Sequence, residues 1–256
     1  MVRFFSFLAF LFFSILANAQ VSENRTVGEF SKLKVSTGID LIFTQDAKTT
    51  VKAEADDAEK LQDIVTTVSG TTLEVFVDSK KFNKNDKKNK KRNNHKILRV
   101  YVTAPNVDSF QASSSGSITA KNEISVKNAN VKVSSSGSFN GNIKADEIIM
   151  KVSSSGDLKS QIITKNLDID VSSSGDATLS GTSENISISA SSSADLSAEN
   201  LTVKTASAEA SSSADVTLKV TESLKAKASS SASITYSGNP TKVEVEKSSS
   251  GSVSKK

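Results

Sequence analysis

From Leu167 to Ala177 apolar and polar residues alternate: Leu167, Ile169 and Val171 on one side, Asp168 and Asp170 on the other, then Ser172-Ser173-Ser174-Gly175 and Asp176-Ala177. A period of two is the mark of a half-buried strand. The same register returns as Ile186, Ile188, Ala190, Ser192, Ala194 and Leu196, and again as Leu224, Ala226, Ala228, Ser230, Ala232 and Ile234. Continued through the serines, it turns the middle serine of each triplet inward, puts Gly or Ala at the next inward site, and sends the first and third serines outward. Inward hydroxyls need partners, and a neighbouring copy of the pattern would supply them.

The pattern repeats along the chain. Serine triplets begin at Ser113, Ser134, Ser153, Ser172, Ser191, Ser211, Ser229 and Ser248, at spacings of 21, 19, 19, 19, 20, 18 and 19 residues. A period near nineteen with strand patterning suits one rung of a β-solenoid. Eight rungs at the strand spacing of about 4.8 Å stack to roughly 35–40 Å. Asn140-Gly141-Asn142, Lys165-Asn166, Ser180-Gly181, Glu199-Asn200 and Ser237-Gly238-Asn239-Pro240 read as turns within the rungs.

Upstream the pattern is less regular. Leu33 to Val35, Ile39 to Phe43, Thr50 to Ala55, Thr71 to Asp78 and Ile97 to Ala104 read as strands. Asp57 to Val65 reads as a short helix, with Asp56 as N-cap and Glu59 three residues on. Ser69-Gly70 is a turn. The expected organisation is a leader at 1–19, an N-terminal β region at 20–108 continuous with the solenoid, and the repeat at 109–256. The N-terminal region would cap the open edge of the first rung.

Composition adds the compartment. Arg3, the apolar run Phe4 to Leu16 and the small-x-small site Ala17-Asn18-Ala19 form a signal peptide, so the mature chain begins at Gln20. No second apolar run follows, so no transmembrane segment is expected in the mature chain. There is no Cys, which excludes a disulfide framework and a lipid-bearing N-terminal Cys. Six of the twelve Phe lie in the leader, leaving a thin aliphatic core of the kind a solenoid uses. The net charge of +4 is local, because Lys80 to Lys96 holds nine Lys/Arg and one Asp. That segment lies between two strands and reads as a long solvated connection, or as a contact for an anionic envelope component. It lacks interleaved aromatics, and export argues against nucleic acid as a partner.

Candidate chemistry is sparse. A serine nucleophile needs an adjacent base, and eight equivalent triplets with one histidine, His95, argue against a catalytic centre. The position after the Gly or Ala reads Ser117, Ser138, Asp157, Asp176, Asp195, Asp215, Ser233 and Ser252. Asp157, Asp176, Asp195 and Asp215 would stack into an acidic stripe, each pair repelling by roughly 0.9 kcal/mol in water. Such aspartates cap the turn through backbone N–H groups, or, with serine hydroxyls and carbonyls, bind Ca²⁺. No other metal or cofactor is implied.

Arg25-Thr26-Val27 followed by Phe30, then Gly38-Ile39-Asp40, and the repeated Ser-x-Ser-Gly-Asp-aliphatic element, as in Ser153 to Leu158, resemble a known family. It is that of the secreted Bacteroidetes-type proteins named putative auto-transporter adhesin, head GIN domain. The resemblance spans roughly residues 25–250. Two departures stand out: the family's Gly-Ile-Asn is Gly38-Ile39-Asp40 here, and the usual second-position Gly of the repeat is Ser. The resemblance implies an all-β, right-handed parallel β-helix-like solenoid and an adhesin role. The expected function is that of an exported, non-catalytic adhesin-like binding or scaffold protein of the cell envelope, in the periplasm, on the outer surface or outside the cell. Its partner would be a glycan or an envelope protein. A polysaccharide-active β-helix enzyme and an envelope signalling or stress component are the alternatives. The enzyme would need one irregular rung with clustered charges and aromatic platforms, which the sequence lacks.

Overall fold

The structure, a computed structural model, describes residues 20–78 and 97–256. The expected leader at 1–19 and the basic segment Lys80 to Lys96 lie outside the described residues. The described chain is an all-β solenoid. Its regular part is built from β11 (Asn128–Val133), β12 (Ser138–Val152), β13 (Asp157–Val171), β14 (Asp176–Ala190), β15 (Asp195–Ala210) and β16 (Asp215–Ala228). Each pairs in parallel with the next, nineteen residues on in the regular rungs, so Phe139 lies on Leu158 and Ile148 on Leu167.

Alternation holds along most of each rung and breaks where the rung bends. In β13, Leu158, Ser160, Ile162 and Thr164 are buried; Lys165 and Asn166 both face out; then Leu167, Ile169 and Val171 are buried. Two consecutive outward residues are how a strand turns a corner without losing its ladder. Lys165-Asn166 is therefore a corner, as expected. Asn140-Gly141-Asn142 is not a turn: Gly141 is buried inside β12, with Asn140 and Asn142 outward. The Asn-Gly pair misleads because a Cβ at Gly141 would lie 2.8 Å from the Cβ of Ala120, so the site needs Gly for space. The unequal spacings have a local cause. The twenty-residue rung carries its extra residue near Ala198 and Glu199: the register shifts between Ser197 and Asn200 against β14 and between Ala198 and Thr202 against β16.

The N-terminal region adds rungs in an order the sequence does not follow. β2 (Lys32–Val35) and β3 (Asp40–Gln45) form one rung. It is sandwiched between β8–β9 (Ser109–Ala112, Ser117–Ala120) on one side and β6–β7 (Thr72–Val77, Leu98–Ala104) on the other, all in parallel. Three antiparallel strands cover the outer edge: β4 (Thr50–Ala55) on β7, β1 (Val21–Arg25) on β4, and β5 (Ile64–Ser69) on β6. The parallel edge of the first rung is thus withheld from stray strands.

The helix expected over Asp57 to Val65 is shorter. It spans Ala58–Asp63 (α1), and its N-cap is Asp57, not Asp56; the Asp57 carboxylate accepts the Lys60 N–H at 2.9 Å. Ile64-Val65-Thr66-Thr67-Val68 is a β-branched run that prefers a strand and becomes β5. Where the N-terminal rungs meet the repeat, Phe43, Phe110 and Phe139 fill the core, with centroids 5.3 and 5.7 Å apart across Phe110. Beyond them the core is aliphatic. Among the described residues no helix is long and apolar enough to cross a membrane.

Candidate functional site

The serine triplets form a tight left-handed turn. In every copy the middle and third serines have positive φ, 52° and 57° at Ser173 and Ser174, and both are exposed, while the following Gly or Ala is buried in all but the last copy, where Gly251 is half-buried. The expectation that the middle serine points inward is corrected by this geometry. Period two does not run through a corner whose two central residues are left-handed. The Gly175 N–H donates to the Ser172 carbonyl at 3.0 Å, closing a turn of the I′ kind. Left-handed serine costs on the order of 1 kcal/mol per residue. Stacking offsets it: the third serine's N–H donates to the middle serine's carbonyl of the next rung, as in Ser155 to Ser173 at 3.2 Å and Ser174 to Ser192 at 3.0 Å. The interior serine ladder is therefore replaced by two columns of outward hydroxyls along one edge.

Gly38-Ile39-Asp40 is the first copy of this turn. Thr37 and Gly38 have φ of 57° and 70°, Ile39 is buried, and Asp40 lies in register with Ser117. Val35 to Leu41 superposes in pattern on Val152 to Leu158. The column after the turn then reads Asp40, Ser117, Ser138, Asp157, Asp176, Asp195, Asp215, Ser233 and Ser252. Its first member is compensated: Arg99 is its register partner, and Ser117 Oγ donates to Asp40 Oδ1 at 2.7 Å.

The structure brings Asp157, Asp176, Asp195 and Asp215 together as the sequence predicts. All four are exposed, and each backbone N–H donates to the Gly or Ala carbonyl one rung back, as in Asp176 to Gly156 at 2.9 Å. The carboxylates do not cap the turn; they reach into solvent, and none has an ion-pair or hydrogen-bond partner among the described residues. Desolvation, then the charges of Asp176 and Asp215, hold the Asp195 carboxyl above the usual aspartate range. Among the described residues no three acidic, His or Cys side chains converge as a closed metal cage would require.

A second column shows what this stack does when charges only stabilise it. At the far corner Asp146, Lys165, Glu184, Lys204 and Glu222 follow one another rung by rung with alternating sign. Lys165 bridges Asp146 at 2.8 Å and Lys204 bridges Glu184 at 3.7 Å. Sequence reasoning missed this ladder, although the sign alternation at the rung period was there to be read. Against it, four like charges in line are not explained by stability.

A groove of about 570 Å³ crosses the face between these edges, floored by Ile148, Leu167, Ile186 and Ala206. Ile149 stands at one end, 42% exposed, and Lys225 at the other. Asn185 Nδ2 donates to Asn166 Oδ1 at 3.0 Å on its rim. Lys225 is held by Glu244 at 3.2 Å, which raises its pKa.

Solved structures share this architecture. A protein described as a putative lipid binding protein from Parabacteroides distasonis superposes with a TM-score of 0.82 at 20% identity, over 93% of this chain and 96% of its own. A putative adhesin from the same organism gives 0.80 at 18% identity, over 93% and 97%. A putative adhesin from Bacteroides fragilis gives 0.65 at 22% identity, over 93% and 97%. At these identities the likeness is one of fold. No curated protein matches the sequence. The sequence profile of one family matches residues 29–161 and again 143–240, the overlap expected of a chain that repeats by the rung. The chain belongs to the family described as putative auto-transporter adhesin, head GIN domain.

Proposed function

We propose that the protein is an exported, non-catalytic binding module of the bacterial cell envelope that engages its ligand along the serine-turn edge. The observation that carries this reading is the line of four unpaired carboxylates beside two columns of exposed serine hydroxyls. Their mutual repulsion is a standing cost that a bound cation or a hydroxyl-rich ligand would relieve. A repeated edge offers many equivalent weak contacts rather than one centre, which suits an extended polymer such as an envelope or host glycan. Calcium would bridge neighbouring carboxylates, with serine hydroxyls, water and ligand oxygens completing its six to eight partners. The same equivalence of rungs argues against catalysis, which needs one distinct site.

The test is a binding screen of residues 20–256 against envelope and host glycans and lipids, in calcium and in chelator. The expected result is retention by a glycan class that weakens in chelator, with no turnover. Absence of binding in both conditions, or turnover of any glycan, overturns the proposal. A second reading rests on the apolar groove and on the fold shared with the P. distasonis protein described as lipid binding. It gains if a lipid is retained and substitution of Ile149, rather than of the aspartates, abolishes retention.

A further inference from the structure

Among the described residues the rung that holds β18 is open on one side. β18 (Lys242–Lys247) pairs with β16 and, among the described residues, with nothing on its other side. Val243 and Val245 continue the inward columns of Leu224 and Ala226, yet they are 43% and 41% exposed where those residues are buried. Lys247, at the next inward position, donates its amine to the Val253 carbonyl at 2.9 Å and leaves the valines uncovered. Ser248 donates its N–H back to Ala228. By alternation the N–H and C=O groups of Val243 and Val245 face away from the stack, with no strand among the described residues to receive them. The opposite end is covered by antiparallel β4 and β5 and offers no parallel rung to a following copy.

We propose that two copies of the chain join tail to tail, β18 pairing antiparallel with its counterpart about a two-fold axis at Glu244. The sequence Lys242-Val243-Glu244-Val245-Glu246-Lys247 is most fully complementary to itself in one register. With Val243 opposite Val245, both outward-facing backbone groups find partners and the valines cover one another. Lys242 then faces Glu246 of the second copy, and the two-fold axis makes this contact twice. Glu244 meets Glu244, and each is already bridged by Lys225 of its own chain at 3.2 Å. Moving the register by one pair, Val245 on Val245, sets Glu244 against Glu246 and Lys242 against Ser248; moving it the other way, Val243 on Val243, keeps a Lys242–Glu244 pair but sets Val245 against Thr241 and Glu246 against Pro240, so charge and valine cover together select the first register. A two-fold, self-complementary patch is the commonest form of homodimer contact, and strand addition at a free edge supplies its main-chain bonds.

The experiment is sedimentation velocity over a concentration series on residues 20–256, with circular dichroism to confirm that each variant is folded. The wild type is expected to be a reversible dimer. Lys242→Glu and Glu246→Lys lie on the outer face, and each alone weakens the dimer by about tenfold or more, because two like-charge pairs replace two opposite ones. Mixing these two variants restores a heterodimer, and the double variant restores a homodimer. Glu244→Cys, the sole thiol in the chain, oxidises to a disulfide dimer, since directly opposed residues of a non-hydrogen-bonded antiparallel pair lie about 4.5 Å apart at Cα. A wild type that stays monomeric at every concentration overturns the proposal. So does a dimer indifferent to both charge reversals, or a mixture that fails to restore it.

Discussion

Gly181 lies within β14 with φ of 106°, and a Cβ built on it falls 2.1 Å from the Ile162 carbonyl oxygen of the preceding rung. Gly181→Ala therefore meets two obstacles. The backbone conformation is one that L-residues avoid, at about 1–3 kcal/mol. The methyl must also push β13 and β14 apart, losing one or two ladder hydrogen bonds at about 1 kcal/mol each. Together these amount to about 2–5 kcal/mol, centred on roughly 10 °C in Tm for a domain of this size. Gly175→Ala is the control. Its nearest contacts would lie at 3.1 Å, its φ is not left-handed, and Ala194 fills the equivalent site one rung on. It should cost about 1 kcal/mol or less. Thermal and urea unfolding followed by circular dichroism compares the two. Equal stability of the variants would refute the assigned rung register, because the clash exists only if Ile162 stacks on Gly181.

Further predictions follow from the core, the turns and the acidic column. Phe110→Ala removes the ring between Phe43 and Phe139 and should lower stability by about 3–5 kcal/mol in urea unfolding. Ser173→Val places a β-branched residue at φ of 52° and should cost about 2 kcal/mol, while Ser173→Gly should be within about 1 kcal/mol of wild type; an inward serine would give the opposite order. Asp195 has a folded pKa raised by desolvation and by its neighbours, so its ionised form destabilises the fold as pH rises through that pKa. Asp195→Asn should raise Tm at pH 7, and the gain should vanish below about pH 3, where the wild-type carboxyl is protonated folded and unfolded alike.

Much of this was legible in the residues, and the exceptions have physical causes. The rung period, the inward aliphatic columns and the alignment of Asp157, Asp176, Asp195 and Asp215 follow from spacing alone, because a parallel ladder places residues one period apart on top of one another. The middle serine's outward position is not legible because alternation does not run through a corner, and left-handed pairs are ordinarily announced by Asn or Gly rather than Ser. Gly38-Ile39-Asp40 could have been found as a turn by laying Val35 to Leu41 on Val152 to Leu158. No local signal marks the stacking of β6–β7 outside β2–β3, since that order depends on which edges remain free after the rungs form. The start of β5 was hidden because Asp57 to Asp63 begins a helix that the following β-branched residues end.

The acidic column is the proposed binding edge. Titration calorimetry of residues 20–256 with the glycan retained in the screen, in calcium, measures this directly when repeated on the variant carrying Asn at 157, 176, 195 and 215. Relief of charge repulsion should leave that variant folded and at least as stable at neutral pH, while its affinity for the glycan falls by about tenfold or more. Equal affinity in the two proteins, with or without calcium, would contradict a binding role for the acidic column and move the ligand to another face of the solenoid.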